Sequence, residues 1–137
     1  MDDQADMRRL LDGIYQALAD GDSRAWGTAL ADDVLMIGTD DAEWWQGKDT
    51  AMKFVEAQVQ EMHDAGVRFS GGDPAVTVAG DVVWVADRPT VSLTDGTSVP
   101  MRLTAVATRE NDRLALRQVH VSIGVANEEV LDQELTV

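Results

Sequence analysis

VLMIGTDDAEWWQGK, Val34 to Lys48, is the stretch whose reading decides the fold. Val34, Leu35, Met36 and Ile37 form a short apolar strand. The chain breaks at Gly38 and passes through an acidic turn made by Asp40, Asp41 and Glu43. Two adjacent tryptophans follow, Trp44 and Trp45, and a second glycine, Gly47, closes the stretch. Neighbours on extended chain point to opposite faces, so one tryptophan can sit in a core while the other caps a cavity. The loops that follow strand ends are where binding groups are commonly held.

Upstream of this stretch the pattern is helical. Met7, Leu10, Leu11, Ile14, Tyr15 and Leu18 recur at i, i+3, i+4, i+7, i+8 and i+11, one face of a helix over about 3–20. Asp2, Asp3 and Asp6 suit its positive start, and Gly21 suits its end. Asp22 or Ser23 is placed to cap a second, short helix that carries Trp26 and Leu30 inward. Ala31-Asp32-Asp33 reads as the turn into the first strand. Downstream, a third helix is expected from Lys48 or Asp49 to Met62, with Asp49 as its cap. Its apolar stripe is Ala51, Met52, Val55, Val59 and Met62.

From Val67 onward the period changes to two. Four strands are expected, at about 67–79, 82–93, 98–109 and 113–123. Short turns join them at Ala79-Gly80-Asp81, Thr94-Asp95-Gly96 and Glu110-Asn111-Asp112. Gly71-Gly72-Asp73-Pro74 interrupts the first of the four, where a bulge or break is expected. Helices first, then a run of antiparallel strands, is the signature of an α+β fold. One domain over 1–137 is expected, with a core at about 5–125 and an acidic tail, 126–137, carrying at most one helical turn.

The 137 residues are 45% hydrophobic and 26% charged, an ordinary globular composition. Formal net charge is −14, from 11 basic and 25 acidic residues. That field repels a phosphate backbone, so no nucleic-acid or membrane partner is expected. With no cysteine, disulfides and thiolate zinc sites are excluded. The N-terminus, MDDQADMRRL, lacks the apolar run of a signal peptide, and a cytoplasmic location is expected. No spacing of histidines and carboxylates resembles a metal-ligand set, and no cofactor is implied.

The order of elements, with Glu43-Trp44-Trp45-Gln46-Gly47 and His120-Val121-Ser122, resembles the SnoaL-like domain of the nuclear-transport-factor-2-like superfamily, in particular its SnoaL-like-3 branch. The calcium/calmodulin-dependent kinase association domain is similar to that branch. The resemblance spans about residues 5–125. It implies a cone-shaped α+β barrel in which three N-terminal helices pack on a strongly curved, mostly antiparallel sheet. It also implies a homodimer and a pocket between the helices and the concave face. The superfamily holds isomerases, cyclases, epoxide hydrolases, dehydratases and members without chemistry, so fold does not decide function.

The residues argue against several of those chemistries. A ketosteroid isomerase needs a carboxylate base and an oxyanion hole built from a tyrosine and a protonated acid. The family's tyrosine and base positions align with Ile14 and Gly38, and the strand from Val99 to Ala107 carries no acid. An epoxide hydrolase needs two aspartates bridged by an arginine, but Asp87 and Arg88 are strand neighbours and point apart. A scytalone dehydratase needs two pocket histidines. This chain has only His63, at a helix end, and His120.

Single candidates remain. Asp87 and His120 are the candidates for moving a proton. The alternative for Asp87 is pairing with an arginine such as Arg102, or exposure. The alternative for His120 and Ser122 is a sheet-to-sheet dimer contact, and for both sites the structural role is the one expected. By resemblance to the kinase association domain, Arg88 matches a pocket arginine, whereas the two further pocket arginines fall at Ala105 and Val121. The leading expectation is a domain that binds a small organic molecule and forms a homodimer through its convex sheet. Its pocket would be lined by Tyr15, Met36, Trp45, Trp84, Arg88, Met101 and Val121, with Arg88 the charged anchor for a carboxylate or enolate. An isomerase, cyclase or dehydratase, and a non-catalytic association module, are the alternatives.

Overall fold

In a computed structural model of the chain, residues 2–137 are described. The first helix, α1, spans Asp3–Asp20. The Asp2 carboxylate caps it by accepting the Ala5 N–H at 3.0 Å. Its apolar stripe buries Met7, Leu11, Ile14, Tyr15 and Leu18. It ends at Gly21, whose φ of 70° suits glycine, and a Cβ there would come within 2.7 Å of the His63 ring. Helix α2, Arg24–Ala29, follows at once and buries Trp26. At its start Asp22 accepts the Arg24 N–H at 3.0 Å.

Strand β1 runs Leu30–Ile37, longer than expected: Ala31-Asp32-Asp33 belongs to the strand and is not a turn. Its parallel pairing with the last long strand shifts register between Leu30 and Leu35. That irregularity lets Asp32 and Asp33 both face solvent between buried Ala31 and Val34. Gly38 and the acidic turn lead into β2, Trp44–Gln46, which pairs back antiparallel on β1. Helix α3 spans Lys48–Asp64 and buries Ala51, Val55 and Val59. Its N-cap residue is Gly47; Asp49, expected to cap it, lies in the first turn.

The strand region is more broken than its period-two pattern suggested. The break expected at Gly71–Pro74 separates β3, Arg68–Ser70, from β4, Ala75–Ala79. The expected strand 82–93 divides at Arg88–Pro89 into β5, Val82–Asp87, and β6, Thr90–Ser92. The expected strand 98–109 divides at Met101 into β7, Ser98–Pro100, and β8, Arg102–Glu110. Proline has no N–H for a ladder. Across the bend the Met101 N–H instead donates to the Pro89 carbonyl at 2.9 Å. Strand β9, Arg113–Ser122, is unbroken. A short α4, Asn127–Leu131, closes the chain, and none of its residues is buried.

The result is a six-stranded sheet in the order β2-β1-β9-β8-β5-β4 and a three-stranded sheet in the order β3-β6-β7. All pairings are antiparallel except β1 with β9. The architecture is therefore α+β, with helices packed on a curved, mostly antiparallel sheet. The inner face carries Val34, Val83, Val85, Leu116 and Val119, all buried with the helices' apolar stripes. Arg109 clamps α1 to the end of β8: its Nε donates to Asp3 at 2.9 Å and a terminal nitrogen to Asp6 at 2.8 Å. Among the described residues no helix is long and apolar enough to cross a membrane.

Candidate functional site

Cross-strand register determines which side chains meet beneath the helices. Met36 lies opposite Val119, and Val119 lies opposite Ala105. One row along, Val121, Leu103 and Asp87 share the inner face. Over these rows the helices bring Ile14, Tyr15 and Leu18 from α1, Trp26 from α2, and Val55 and Val59 from α3. They wall a half-open cavity of about 330 Å³, at the lower end of the range for small-molecule sites. Its walls are chiefly apolar and include four aromatic rings, those of Tyr15, Trp26, Trp45 and Phe69.

The ring positions are fixed by packing. Trp45 is 7% exposed and stacks on Phe54 at 4.9 Å between centroids with planes 4° apart. Tyr15 lies near parallel to Phe69 at 6.5 Å. Trp26 is buried, and its indole N–H has no hydrogen-bond partner among the described residues.

At one end the wall is polar. Gly38, Thr39 and Glu43 contribute from the β1–β2 turn, and Gln58 and Glu61 from α3. The Glu43 carboxylate accepts the Asp40 N–H at 2.8 Å and the Gln58 side-chain amide at 3.0 Å. Asp40 and Asp41 themselves are exposed.

Behind Tyr15 lies a second polar feature. The phenol O–H donates to Asp87 Oδ2 at 2.7 Å. Asp87 is 5% exposed and accepts two further bonds, from the Arg88 N–H at 2.8 Å and the Gly72 N–H at 3.1 Å. The backbone approaches closely here: a Cβ on Gly72 would come within 2.8 Å of both Asp87 Oδ1 and the Arg88 carbonyl, so glycine is required. Burial, and then the bond to Asp87, push the Tyr15 phenol well above its ordinary value of 10.0. The carboxylate thus joins the end of β5, the Gly71–Gly72 loop and helix α1.

Of the residues expected to line a pocket, Tyr15, Met36, Trp45, Met101 and Val121 meet around the cavity. Trp84 and Arg88 do not. Strand β5 turns Val83, Val85 and Asp87 inward and Trp84 and Ala86 outward, and Arg88 follows just past its end. Trp84 is 42% exposed on the outer face, and Arg88 is exposed. A carboxylate or enolate anchored by Arg88 inside the cavity is therefore ruled out.

Asp87 also departs from expectation, being buried and bonded to a tyrosine and two backbone N–H groups instead of exposed or paired with Arg102. His120 is exposed in the outer row beside Ile37 and Thr104, so it supplies no acid or base to the cavity.

Sequence reasoning passed over Ile14, Leu18 and Trp26 as wall residues, and Gln58 and Glu61 at the polar end. Helical spacing offered the signal: Ile14 and Leu18 flank Tyr15 on one stripe, and Gln58, Glu61 and Met62 share a face of α3. Among the described residues no three of His, Asp and Glu converge as a metal-binding group.

A profile of the SnoaL-like domain matches residues 7–126. No curated protein matches the sequence. Among solved structures, an NTF2-like protein of unknown function from Pseudomonas putida is similar, with a TM-score of 0.82 at 22% identity, covering 98% of this chain and 96% of its own. A proposed dehydratase of the NTF2-like family from Streptomyces avermitilis has a TM-score of 0.75 at 18% identity, covering 90% and 98%. A proposed ketosteroid isomerase from Parabacteroides distasonis has a TM-score of 0.69 at 19% identity, covering 83% and 84%. At such identities the likeness shows the fold, which is NTF2-like and cystatin-like, and leaves the chemistry open. With the profile spanning nearly all of α1 through β9, the chain belongs to the SnoaL-like family.

Proposed function

We propose that the chain binds a small, mostly apolar organic molecule in the cavity between its helices and the inner sheet face. The observation that carries this reading is a half-open cavity of about 330 Å³ walled by four aromatic rings and by side chains of three helices. A core packed only for stability fills such space. Tryptophan fluorescence and thermal shift against a panel of steroids, polyketide-like aromatics, epoxides and small amines test it. A saturable ligand should quench Trp45 or Trp26 and raise the melting temperature as its concentration rises. Replacing Val121 or Met101 by Trp, which fills the cavity, should abolish both signals. Silence across the panel, with Val121→Trp more stable than the parent, would sink the reading.

The protein works as a homodimer through its outer sheet face in this proposal. Two neighbouring cross-strand rows support it. One is Trp44, Ile37, His120, Thr104, Ala86 and Ala75; the other is Gln46, Leu35, Gln118, Val106, Trp84 and Thr77. Neither row holds a carboxylate, lysine or arginine, although the chain carries 36 such residues, 11 basic and 25 acidic. Two copies of net charge −14 repel unless they meet where charge is missing, and exposed tryptophans suit the centre of an interface. Sedimentation equilibrium decides between monomer and dimer.

The hydrogen bond from Tyr15 to Asp87 favours a second reading, proton transfer on a bound substrate. Tyr15 walls the cavity and Asp87 stands behind it. A substrate proton passing to the phenol oxygen would send the phenol proton on to Asp87. Two similar structures named as a proposed isomerase and a proposed dehydratase make this worth testing. Turnover by the parent that is lost in Tyr15→Phe, with ligand affinity retained, would support it. Equal turnover in both would exclude it.

A further inference from the structure

The cavity wall is electrostatically lopsided. Among the described residues its lining includes Glu43 and Glu61 and no lysine, arginine or histidine. Gln58 joins them along α3: its side-chain amide donates to Glu43 at 3.0 Å, and Glu61, itself exposed, lies three residues further along the same helix face. Glu43 is held in place. The Asp40 N–H fixes one carboxylate oxygen, Gln58 the other, and the side chain lies so close on Gly38 that a Cβ there would come within 2.7 Å of Glu43 Oε2. A held carboxylate at the end of an otherwise apolar, ring-walled space is a preorganised receptor for one positive charge.

Resting on the reading that this cavity binds a small molecule, we infer that its ligand is an organic cation: an apolar, ring-bearing body with a protonated amine directed at Glu43 and Glu61. The four aromatic rings take the apolar body. The chain's net charge of −14 attracts cations from a distance. A carboxylate ligand would instead meet two like charges and find no counter-ion in the wall.

The test is calorimetric titration with matched trios that differ only in the end group: an arylethylamine, the corresponding arylethanol and the corresponding arylacetate. Naphthyl, biphenyl and indane supply the bodies. Within the trios that bind, the amine should exceed the alcohol by about tenfold in affinity, and the carboxylate should be weakest. The amine's advantage should shrink as salt rises and collapse in the double variant Glu43→Gln, Glu61→Gln. Equal affinity for amine, alcohol and carboxylate would overturn the charge preference and leave the cavity reading standing. A preferred carboxylate would do the same. No binding by any trio, with cavity-filling Val121→Trp also without effect on the panel, would overturn both together.

Discussion

Trp44 and Trp45 are adjacent, chemically identical, and differently used. Trp45 is 7% exposed, stacked on Phe54 and part of the cavity wall. Trp44 is 59% exposed and begins a row of uncharged side chains on the outer face. Asp87 and Arg88 repeat the contrast on β5, where the acid is buried with three hydrogen-bond donors and the arginine faces solvent. The pleat alone produces both pairs of opposites. The inner face carries the buried core and the cavity; the outer face is largely exposed.

Breaking the inner face should have the largest effect. Asp87→Ala leaves the Tyr15 O–H and the Gly72 and Arg88 N–H groups without their acceptor, for a loss of about 3 kcal/mol in denaturant unfolding. A loss below about 1 kcal/mol would show that the three donors find water and that Asp87 does not join α1 to β5. The tryptophan pair is next. Trp45→Ala should cost about 3 kcal/mol from cavity formation and the lost stack on Phe54. Trp44→Ala should cost under about 0.5 kcal/mol when measured at concentrations where the protein is monomeric. Similar losses from the two would erase the contrast between the faces.

On the outer face the expected effect is on association. Trp84→Glu should weaken the proposed dimer by tenfold or more in sedimentation while leaving the monomer's unfolding midpoint in place. A change in midpoint with unchanged association would move Trp84 from interface to scaffold.

Two titrations sharpen the picture further. Tyr15 is the one tyrosine, so phenolate absorbance reports it alone. Its folded value is raised, so its contribution to stability is complete below the unfolded value of 10.0 and is lost as pH rises above it. Phenolate absorbance should therefore appear only as the near-ultraviolet circular dichroism of the tryptophans disappears. Ionisation near pH 10 in the folded protein would contradict the buried bond to Asp87. The smallest effect belongs to the partly exposed acids near the surface. Hydrogen bonds from Arg24 lower Asp22 from 3.8 to about 2, and Arg109 and then Arg9 lower Asp6. Stability from these groups is complete above 3.8 and lost as pH falls through the lowered values. Arg24→Ala should flatten that acid limb slightly, read as the pH dependence of the melting temperature. An unchanged limb would assign it to other carboxylates.

The stripe of α1 was legible because each of its turns repeats one apolar face, and its caps, Asp2 and Gly21, announce themselves by residue type. The division of the long strands at Pro89 and Met101 was not. Pro89 and Pro100 stand at the two places, but alternation continues through both, and a proline alone does not distinguish an edge strand from a bend. The separate three-stranded sheet and the Met101 N–H reaching the Pro89 carbonyl show the bend. Asp32 and Asp33 read as a turn because two successive exposed acids violate strand alternation. The register shift of β1 on β9 is what permits them.

The residues around the cavity divided in the same way. Tyr15, Met36, Trp45, Met101 and Val121 could be named from the sequence; Glu43 could be suspected at the mouth. Parity groups Trp84 with Arg88 and opposes them to Val83, Val85 and Asp87. The resemblance that matched Arg88 to a pocket arginine turned the wrong one of these two faces inward, although Val83 and Val85 already marked the apolar face of β5.

Local order was thus written in the chain: which residues form helix or strand, where turns fall, and which side chains share a face. Those properties depend on neighbours a few residues apart. Which face turns inward, where the strands bend, and that Tyr15 would meet Asp87 from 72 residues away were decided only when helices and sheet packed. Burial, register and hydrogen bonding between distant segments depend on the whole core, and no local period encodes them.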